Sequence, residues 1–112
     1  ALKVAGVVFP DGLGLRAPAS LGLAVDGPGR FVAWVGIDDE VAGFRAPQPL
    51  RFRVFLGDRE LAVSPPVQAG EPARLMQVEV PGAGELRLVA EPEGRLPFGG
   101  HGDWLMPRFL RG

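Results

Sequence analysis

Apolar and polar residues alternate with a period of two along much of this chain. The clearest segment is 30–37, where the odd-numbered and even-numbered residues from Phe31 to Gly36 point to opposite sides. Because both sides carry apolar or small residues, the pattern predicts a strand that is covered on both faces or central in a sheet. The acidic run from Asp38 to Glu40 follows directly, and unpaired buried carboxylates are costly. The segment therefore predicts a central strand that leads into an acidic surface loop.

Further segments alternate or carry runs of β-branched and apolar residues. They span 2–9, 19–25, 50–56, 59–63, 73–80, 85–91 and 104–110. Glycine, proline and aspartate separate them at intervals of about eight to twelve residues, the spacing typical of β-sandwiches and barrels. Since no window shows apolar spacing at three and four, we expect little or no helix. The pattern predicts an all-β domain of about eight short antiparallel strands.

Glycine and proline also mark irregular positions. Gly12 and Gly14 flank a single leucine, so the backbone there is either tightly turned or closely packed. Residues 92–102 are expected to form a long loop. Pro107 lies inside the last predicted strand, and because proline cannot donate a ladder hydrogen bond, it predicts an edge strand or a bulge.

Composition limits the class of protein. The chain has 112 residues and is 46% hydrophobic, which fits one packed domain, 1–112. The formal net charge of -1 argues against a nucleic-acid partner and a polybasic membrane signal. No apolar run approaches the roughly 20 residues of a membrane span, and no signal peptide is visible. Cysteine is absent, which excludes disulfides and thiolate chemistry.

Catalytic groups are few. His101 is the one histidine, and a nucleophilic triad would need an activated serine beside it. Ser20 and Ser64 are the available serines, and neither lies in a nucleophile-elbow motif. A zinc site would need three or four histidine or cysteine ligands. We therefore do not expect an enzyme.

The carboxylates Asp38, Asp39 and Asp103 leave three interpretations open. They could meet in space and act as an acid and base pair. They could instead hold a calcium ion together with backbone carbonyls. The pattern favours a third interpretation, in which Asp38 and Asp39 form an Asx-type turn in a solvated loop.

Three other side chains have both a structural and a ligand-binding interpretation. Trp34 lies in the middle of a predicted strand, which favours a core position. Trp104 follows a glycine-rich loop and lies nearer a rim, so core packing and stacking on a ligand both stay open. Arg16 follows a glycine-containing turn and is either an ordinary surface arginine or a ligand contact.

Five motifs together resemble the NPCBM family of carbohydrate-binding modules. They are GLG at 12–14 with RAPASL at 16–21, FVAWVGIDD at 31–39, FRVFLGDREL at 52–61, ELRLV at 85–89, and HGDW at 101–104. Their order and spacing agree with the family over nearly the whole chain. Leu15 and Arg16 stand where the family has Thr-His, and Gly100 stands where it has an acid.

The resemblance implies a jelly-roll β-sandwich and a non-catalytic sugar-binding role. The better-characterised relatives are classed in carbohydrate-binding module family 51 and bind galactose-containing glycans. Such modules are commonly attached to glycoside hydrolases, so the expected partners are a glycan and a larger parent protein or glycoside hydrolase. The expected location is extracytoplasmic. Calcium is a possible cofactor.

On this resemblance a carbohydrate site would be built from six residues. Carboxylates would accept hydrogen bonds from sugar hydroxyls, Arg16 and His101 would donate, and Trp104 could stack on an apolar sugar face. The six residues are Arg16, Asp38, Asp39, His101, Asp103 and Trp104. Alternatively, His101, Asp103 and Trp104 form a structural corner that tethers the last strand to the Asp38 loop.

A second hypothesis keeps the same fold with a different function. In it the domain is a protein-interaction or assembly module that has lost sugar binding. Phe44, Phe55 and Phe98 would then form an exposed apolar patch. A shallow polar cleft at the rim would favour sugar binding, whereas a flat apolar face or a symmetric dimer would favour assembly.

Overall fold

The computed structural model describes residues 2–39, 48–93 and 101–112, except for the side chain of His101. Ten strands lie in these ranges. They are β1 Leu2–Val4, β2 Val7–Phe9, β3 Gly12–Arg16, β4 Ala19–Val25, β5 Gly29–Ile37, β6 Leu50–Leu56, β7 Arg59–Val63, β8 Arg74–Val80, β9 Gly84–Pro92 and β10 His101–Arg111. The described ranges contain no helix long and apolar enough to cross a membrane.

Two four-stranded antiparallel sheets face each other, which confirms the predicted β-sandwich. The front sheet has the order β3-β10-β5-β8, and the back sheet has the order β4-β9-β6-β7. β5 is an inner strand of the front sheet, as its two apolar faces predict. The β1–β2 hairpin forms a separate two-stranded unit.

The core lies between the sheets and is built from alternate residues of the inner faces. In β8, for example, every second residue from Met76 to Val80 is buried. Full burial of an aliphatic or aromatic side chain contributes roughly 1.5–3 kcal/mol. The largest core residues are Phe31, Ile37 and Trp104 from the front sheet and Leu50, Phe52, Leu86 and Leu88 from the back sheet.

The β1–β2 hairpin lies on the outer face of the front sheet. Its turn has positive φ angles at Ala5 (49°) and Gly6 (82°), the geometry of a tight two-residue hairpin turn. A Cβ atom at Gly12 would lie 2.9 Å from Cδ1 of Leu2, so the hairpin side chain occupies space left by the glycine. A Cβ atom at Gly36 of β5 would lie 2.7 Å from Cγ1 of Val4, so the hairpin also covers part of the second face of β5, which the sequence predicts to be apolar.

Three local predictions need correction. Residues 2–9 are not one strand, because the turn at Ala5 and Gly6 folds them into β1 and β2. Arg16, expected to follow a glycine-containing turn, instead ends the strand Gly12–Arg16, in which Gly12 and Gly14 are closely packed, the second of their two predicted conformations. The last strand begins at His101, inside the predicted loop. The prediction at Pro107 is confirmed, since the β10–β5 register shifts between Leu105 and Arg108.

Candidate functional site

The front sheet brings three of the predicted site residues to one end. β3 ends at Arg16 and β10 begins at His101, and these two residues are direct partners in the antiparallel register. β5 ends at Ile37, which pairs with Gly102 of β10. The next residue, Asp38, therefore lies at the same end of the front sheet. We call this end of the front sheet the rim, defined by Arg16, Asp38 and His101.

Arg16 and Asp38 differ in their access to solvent. Arg16 is exposed, so that its guanidinium group is available to a ligand. Asp38 is only 4% exposed, although it lies at the end of its strand. Arg16 therefore provides the accessible charge of the described part of the rim.

Asp39 holds the β1–β2 turn. Its Oδ1 atom accepts a hydrogen bond from the backbone N–H of Ala5, and its Oδ2 atom accepts one from the N–H of Gly6, both at 2.9 Å. The sequence predicts a solvated turn at this position and gives no signal of this contact with residues more than thirty positions away. Because both oxygens serve the hairpin, the observed role of Asp39 is structural.

Asp103 is built into the hairpin-covered face of the front sheet. It pairs with Gly14 of β3 on one side and Gly36 of β5 on the other, and it is 0% exposed. A Cβ atom at position 14 would lie 3.1 Å from the Asp103 Oδ1 atom, so the glycine leaves room for the carboxylate. A sugar at the rim would not reach this carboxylate in the observed arrangement.

Trp104 is a core residue, which is the first of the two interpretations that its sequence context leaves open. It is 0% exposed, and its ring packs 6.0 Å from Phe31 and 5.5 Å from Phe52, measured between centroids. Its indole Nε1 atom is buried and has no hydrogen-bond partner among the described residues. The burial of Asp103 and Trp104 agrees with the structural-corner interpretation for those two residues.

Trp34 occupies the position that the sequence assigns to a core tryptophan, but it faces outward and is 39% exposed. It lines a shallow groove of about 290 Å³ between the hairpin and the start of β8, which we call the groove at the foot of the hairpin. The other lining residues are Val4, Ala5, Val7, Phe9, Pro72 and Ala73. The one signal in the sequence is its parity, because Trp34 alternates with the core residues Ala33 and Val35.

The described residues do not assemble a calcium site by themselves. Within 2–39, 48–93 and 101–112, no three histidine or acidic side chains come together in a metal-binding cluster. Calcium takes six to eight oxygen ligands, and both oxygens of Asp39 already accept amide hydrogen bonds. Calcium binding stays a prediction, and the pair of Asp38 and Asp39 would supply only part of the ligand set.

The family comparison covers nearly the whole chain. The family model for the NPCBM/NEW2 domain matches residues 1–110. A protein from Renibacterium salmoninarum, named "Putative endo-alpha-N-acetylgalactosaminidase", is 32% identical over 111 residues. That match covers 97% of this chain but only 7% of the relative. The chain thus spans a small fraction of the length of this relative.

Solved structures share the fold. The CBM51 of Clostridium perfringens GH95, in complex with methyl-galactose, has a TM-score of 0.80 at 24% identity, covering 97% of this chain and 78% of that chain. The CBM51-2 and INT domains of Clostridium perfringens ZmpB, in complex with GlcNAc, give 0.83 at 24% identity, covering 92% and 22%. The tandem CBM51 modules of a Streptococcus pneumoniae family 98 glycoside hydrolase give 0.83 at 22%, covering 99% and 35%. The match over residues 1–110 shows that the chain belongs to the NPCBM/NEW2 family, and its β-sandwich agrees with this.

Proposed function

We propose that this domain is a non-catalytic carbohydrate-binding module whose site is the rim. The observation that carries the proposal is the register of β3 and β10, which pairs Arg16 with His101 beside the end of β5. Residues far apart in the chain thus converge at one end of a rigid sheet. Sites on such elements hold polar groups in fixed positions, as recognition of a small polar ligand requires.

The chemistry of the rim suits hydroxyl groups. The Arg16 guanidinium carries several N–H donors in a fixed plane, which can donate to two neighbouring sugar oxygens. Asp38 is 4% exposed, so in this arrangement it would support the rim and not contact the sugar directly. In this revised site Asp38, Asp39 and Asp103 are supporting residues and Trp104 is part of the core, so Arg16 and His101 remain as the proposed sugar contacts.

The absence of catalysis is part of the proposal. Glycoside hydrolysis uses two carboxyl groups that face each other across the scissile bond. Asp39 is engaged by the hairpin turn, and Asp103 is fully buried on the hairpin-covered face. These contacts support a binding role over a hydrolytic one.

The proposed ligand is a galactose-type glycan. The structural neighbours include a module in complex with methyl-galactose and another in complex with GlcNAc. The neighbours are parts of larger proteins, one of them a family 98 glycoside hydrolase. By analogy we place this domain in a larger glycan-active protein that acts outside the cytoplasm.

The assembly hypothesis based on phenylalanines receives no support from Phe55. The guanidinium carbon of Arg87 lies 5.0 Å from the centroid of the Phe55 ring, so the ring is covered by a cation. Phe44 and Phe98 lie outside the described residues.

The test is a glycan-array screen followed by titration calorimetry with methyl-galactoside and with GlcNAc, in calcium and in chelator. Binding should prefer the galactoside. Arg16→Ala should weaken binding at least tenfold, while Arg59→Ala, an exposed arginine on β7, should leave it unchanged. Loss of binding in chelator would add calcium to the site.

Two results would overturn the proposal. No glycan binding at high protein concentration would remove sugar recognition. Glycan binding that survives Arg16→Ala but is lost in Trp34→Ala would move the site from the rim to the groove at the foot of the hairpin. A preference for GlcNAc would keep the module but change its specificity.

A further inference from the structure

The two sheets have edge strands, and these are protected to different degrees. An unprotected edge presents free backbone N–H and C=O groups to other chains, so natural proteins guard edges with charges, prolines, bulges or covering segments. β3 and β8 are the edges of the front sheet, and β4 and β7 are the edges of the back sheet.

Three of these edges are guarded. β3 is short, ends in Arg16 and contacts Leu2 of the hairpin at its glycines. β8 carries Arg74 at its start and Glu79 near its end. β7 begins with Arg59 and a glutamate, and its pairing with β6 is interrupted by a register shift.

Among the residues that the structure describes, β4 has none of these protections. Its seven residues, ASLGLAV, include no charge and no proline. It pairs with β9 from Ala19 to Val25 without a register shift, so it is a regular strand along its whole length. Ser20, Gly22 and Ala24 are exposed on its outer face, and Leu23 is 37% exposed on the other.

We propose that β4 is an interface strand through which two copies of this chain pair antiparallel, with a two-fold axis at Gly22. This arrangement joins the back sheets of two protomers into one continuous sheet. Two copies meeting through the same strand form a closed, isologous interface, which does not propagate into fibres. The proposal stands on the strand itself and does not depend on carbohydrate binding.

The sequence of β4 is complementary to itself about this axis. Centring on Gly22 sets all seven residues of one strand opposite the seven of the other. Leu21 then lies opposite the partner's Leu23, and Ser20 lies opposite the partner's Ala24. Apolar residues meet on the inner row, small residues meet on the outer row, and no like charges are opposed.

A groove beside the C-terminal end of β4 gives the pairing a further surface to cover. The groove has a volume of about 580 Å³, and its β4 residues are Leu23, Ala24 and Val25. Its lining also includes the apolar residues Leu86 and Phe109 and the charged residues Asp11, Asp26, Arg108 and Arg111. The leucine row of a second β4 would extend over this opening and remove apolar surface from water.

The glycine at the axis allows a direct geometric test. Opposed residues in antiparallel strands have Cα atoms about 4.5–5.5 Å apart, within the range of a disulfide. The chain has no cysteine, so Gly22→Cys introduces a single thiol. A Cβ atom at position 22 would lie 2.8 Å from Oε2 of Glu85, the end of an exposed flexible side chain that can move aside.

Ser20→Cys is the matched control on the same face of the same strand. In the proposed register, position 20 and the partner's position 20 are four residues apart along the strand, about 13 Å. Under mild oxidation Gly22→Cys should form a disulfide-linked dimer, and Ser20→Cys should react at least tenfold more slowly. Equal cross-linking of both variants would overturn the register.

The second measurement is the oligomeric state of the unmodified chain, which contains no cysteine. Sedimentation equilibrium at up to about 1 mM protein should detect a weak dimer. Leu23→Lys should abolish the dimer, because it places a charge in the leucine row. Val63→Lys, on the guarded β7 edge at 44% exposure, should leave it intact.

A monomer at all concentrations would overturn the proposal, even if an extended peptide bound the same edge. Loss of the dimer in Val63→Lys but not in Leu23→Lys would do the same, because it would place the interface at the opposite edge. If Gly22→Cys does not fold, as judged by circular dichroism, the sedimentation comparison alone decides the question.

Discussion

Val4 occupies the space that a side chain at Gly36 would need. A Cβ atom at position 36 would lie 2.7 Å from the Cγ1 atom of Val4, closer than real carbon atoms approach. The hairpin can therefore lie flat on the front sheet because β5 carries no side chain at that point. Val4 is 1% exposed as a result. A glycine inside an otherwise apolar strand here serves packing and not a turn.

Gly36→Ala should displace the hairpin and destabilise the domain. Overpacking a close contact of this kind typically costs about 1–3 kcal/mol in the free energy of unfolding. Urea unfolding of the variant measures this loss. Gly27→Ala is the control, because nothing lies within 4 Å of a Cβ atom at that position. Equal stability of the two variants would contradict the proposed contact.

Asp39→Ala should loosen the same hairpin at its turn, next to Val4. The substitution removes the acceptors of the Ala5 and Gly6 amides, and hydrogen bonds to a charged group contribute about 1.5–3 kcal/mol. Hydrogen exchange at those two amides should accelerate at least tenfold. Asp58→Ala, in the exposed turn between β6 and β7, should not change their exchange. Unchanged exchange in Asp39→Ala would assign the anchoring of the turn to other contacts.

The alternation of apolar and polar residues predicts the inner faces of most strands, but it does not predict which face of β5 lies in the core. β6 and β8 carry clear apolar and polar rows, so their inner faces follow from the sequence. β5 has two apolar faces, and the sequence alone does not decide which one meets the other sheet. The choice depends on the hairpin, whose turn places Ala5 at φ 49°, a conformation with no clear sequence signal in alanine. This is why the predicted environment of Trp34 is wrong.

The candidate site is likewise predicted only in part by the sequence. The family resemblance groups Arg16 and His101 in one site, but their direct pairing is a finding of the structure, because the sequence predicts a turn before Arg16 and a loop at His101. The burial of Asp103 and the anchoring role of Asp39 do not follow, because both depend on where the hairpin lies. Carboxylates at the end of a strand look alike in a sequence, whether they face a ligand or hold a neighbouring segment.

The two tryptophans should be separable by fluorescence. Trp104 is 0% exposed and Trp34 is 39% exposed, and the chain has no other tryptophan. In Trp34→Phe, the remaining emission should be blue-shifted and resistant to acrylamide. In Trp104→Phe, it should be red-shifted and readily quenched, and the domain should lose stability because a packed core ring is replaced by a smaller one. Reversed quenching would contradict the assigned faces of β5 and β10.

Stability should depend on pH through the ion pair of Arg51 and Glu93. The Arg51 Nε atom donates to the Glu93 Oε2 atom at 2.6 Å, and this hydrogen bond holds the pKa of Glu93 below its ordinary value of 4.5. A depressed carboxyl pKa stabilises the folded state above the unfolded pKa, and this contribution is lost as the pH falls through the folded pKa. Glu93→Gln should therefore lower the urea midpoint at pH 7, and its difference from the unmodified chain should shrink steadily below pH 4.5. Because the Glu93 side chain is 39% exposed, the effect should be small and weaken in high salt.

The control is Glu79→Gln, which breaks a more exposed ion pair with Arg30 and should change the urea midpoint less at pH 7. A Glu93→Gln difference that persists unchanged at pH 2.5 would show that the loss comes from packing and not from the charge.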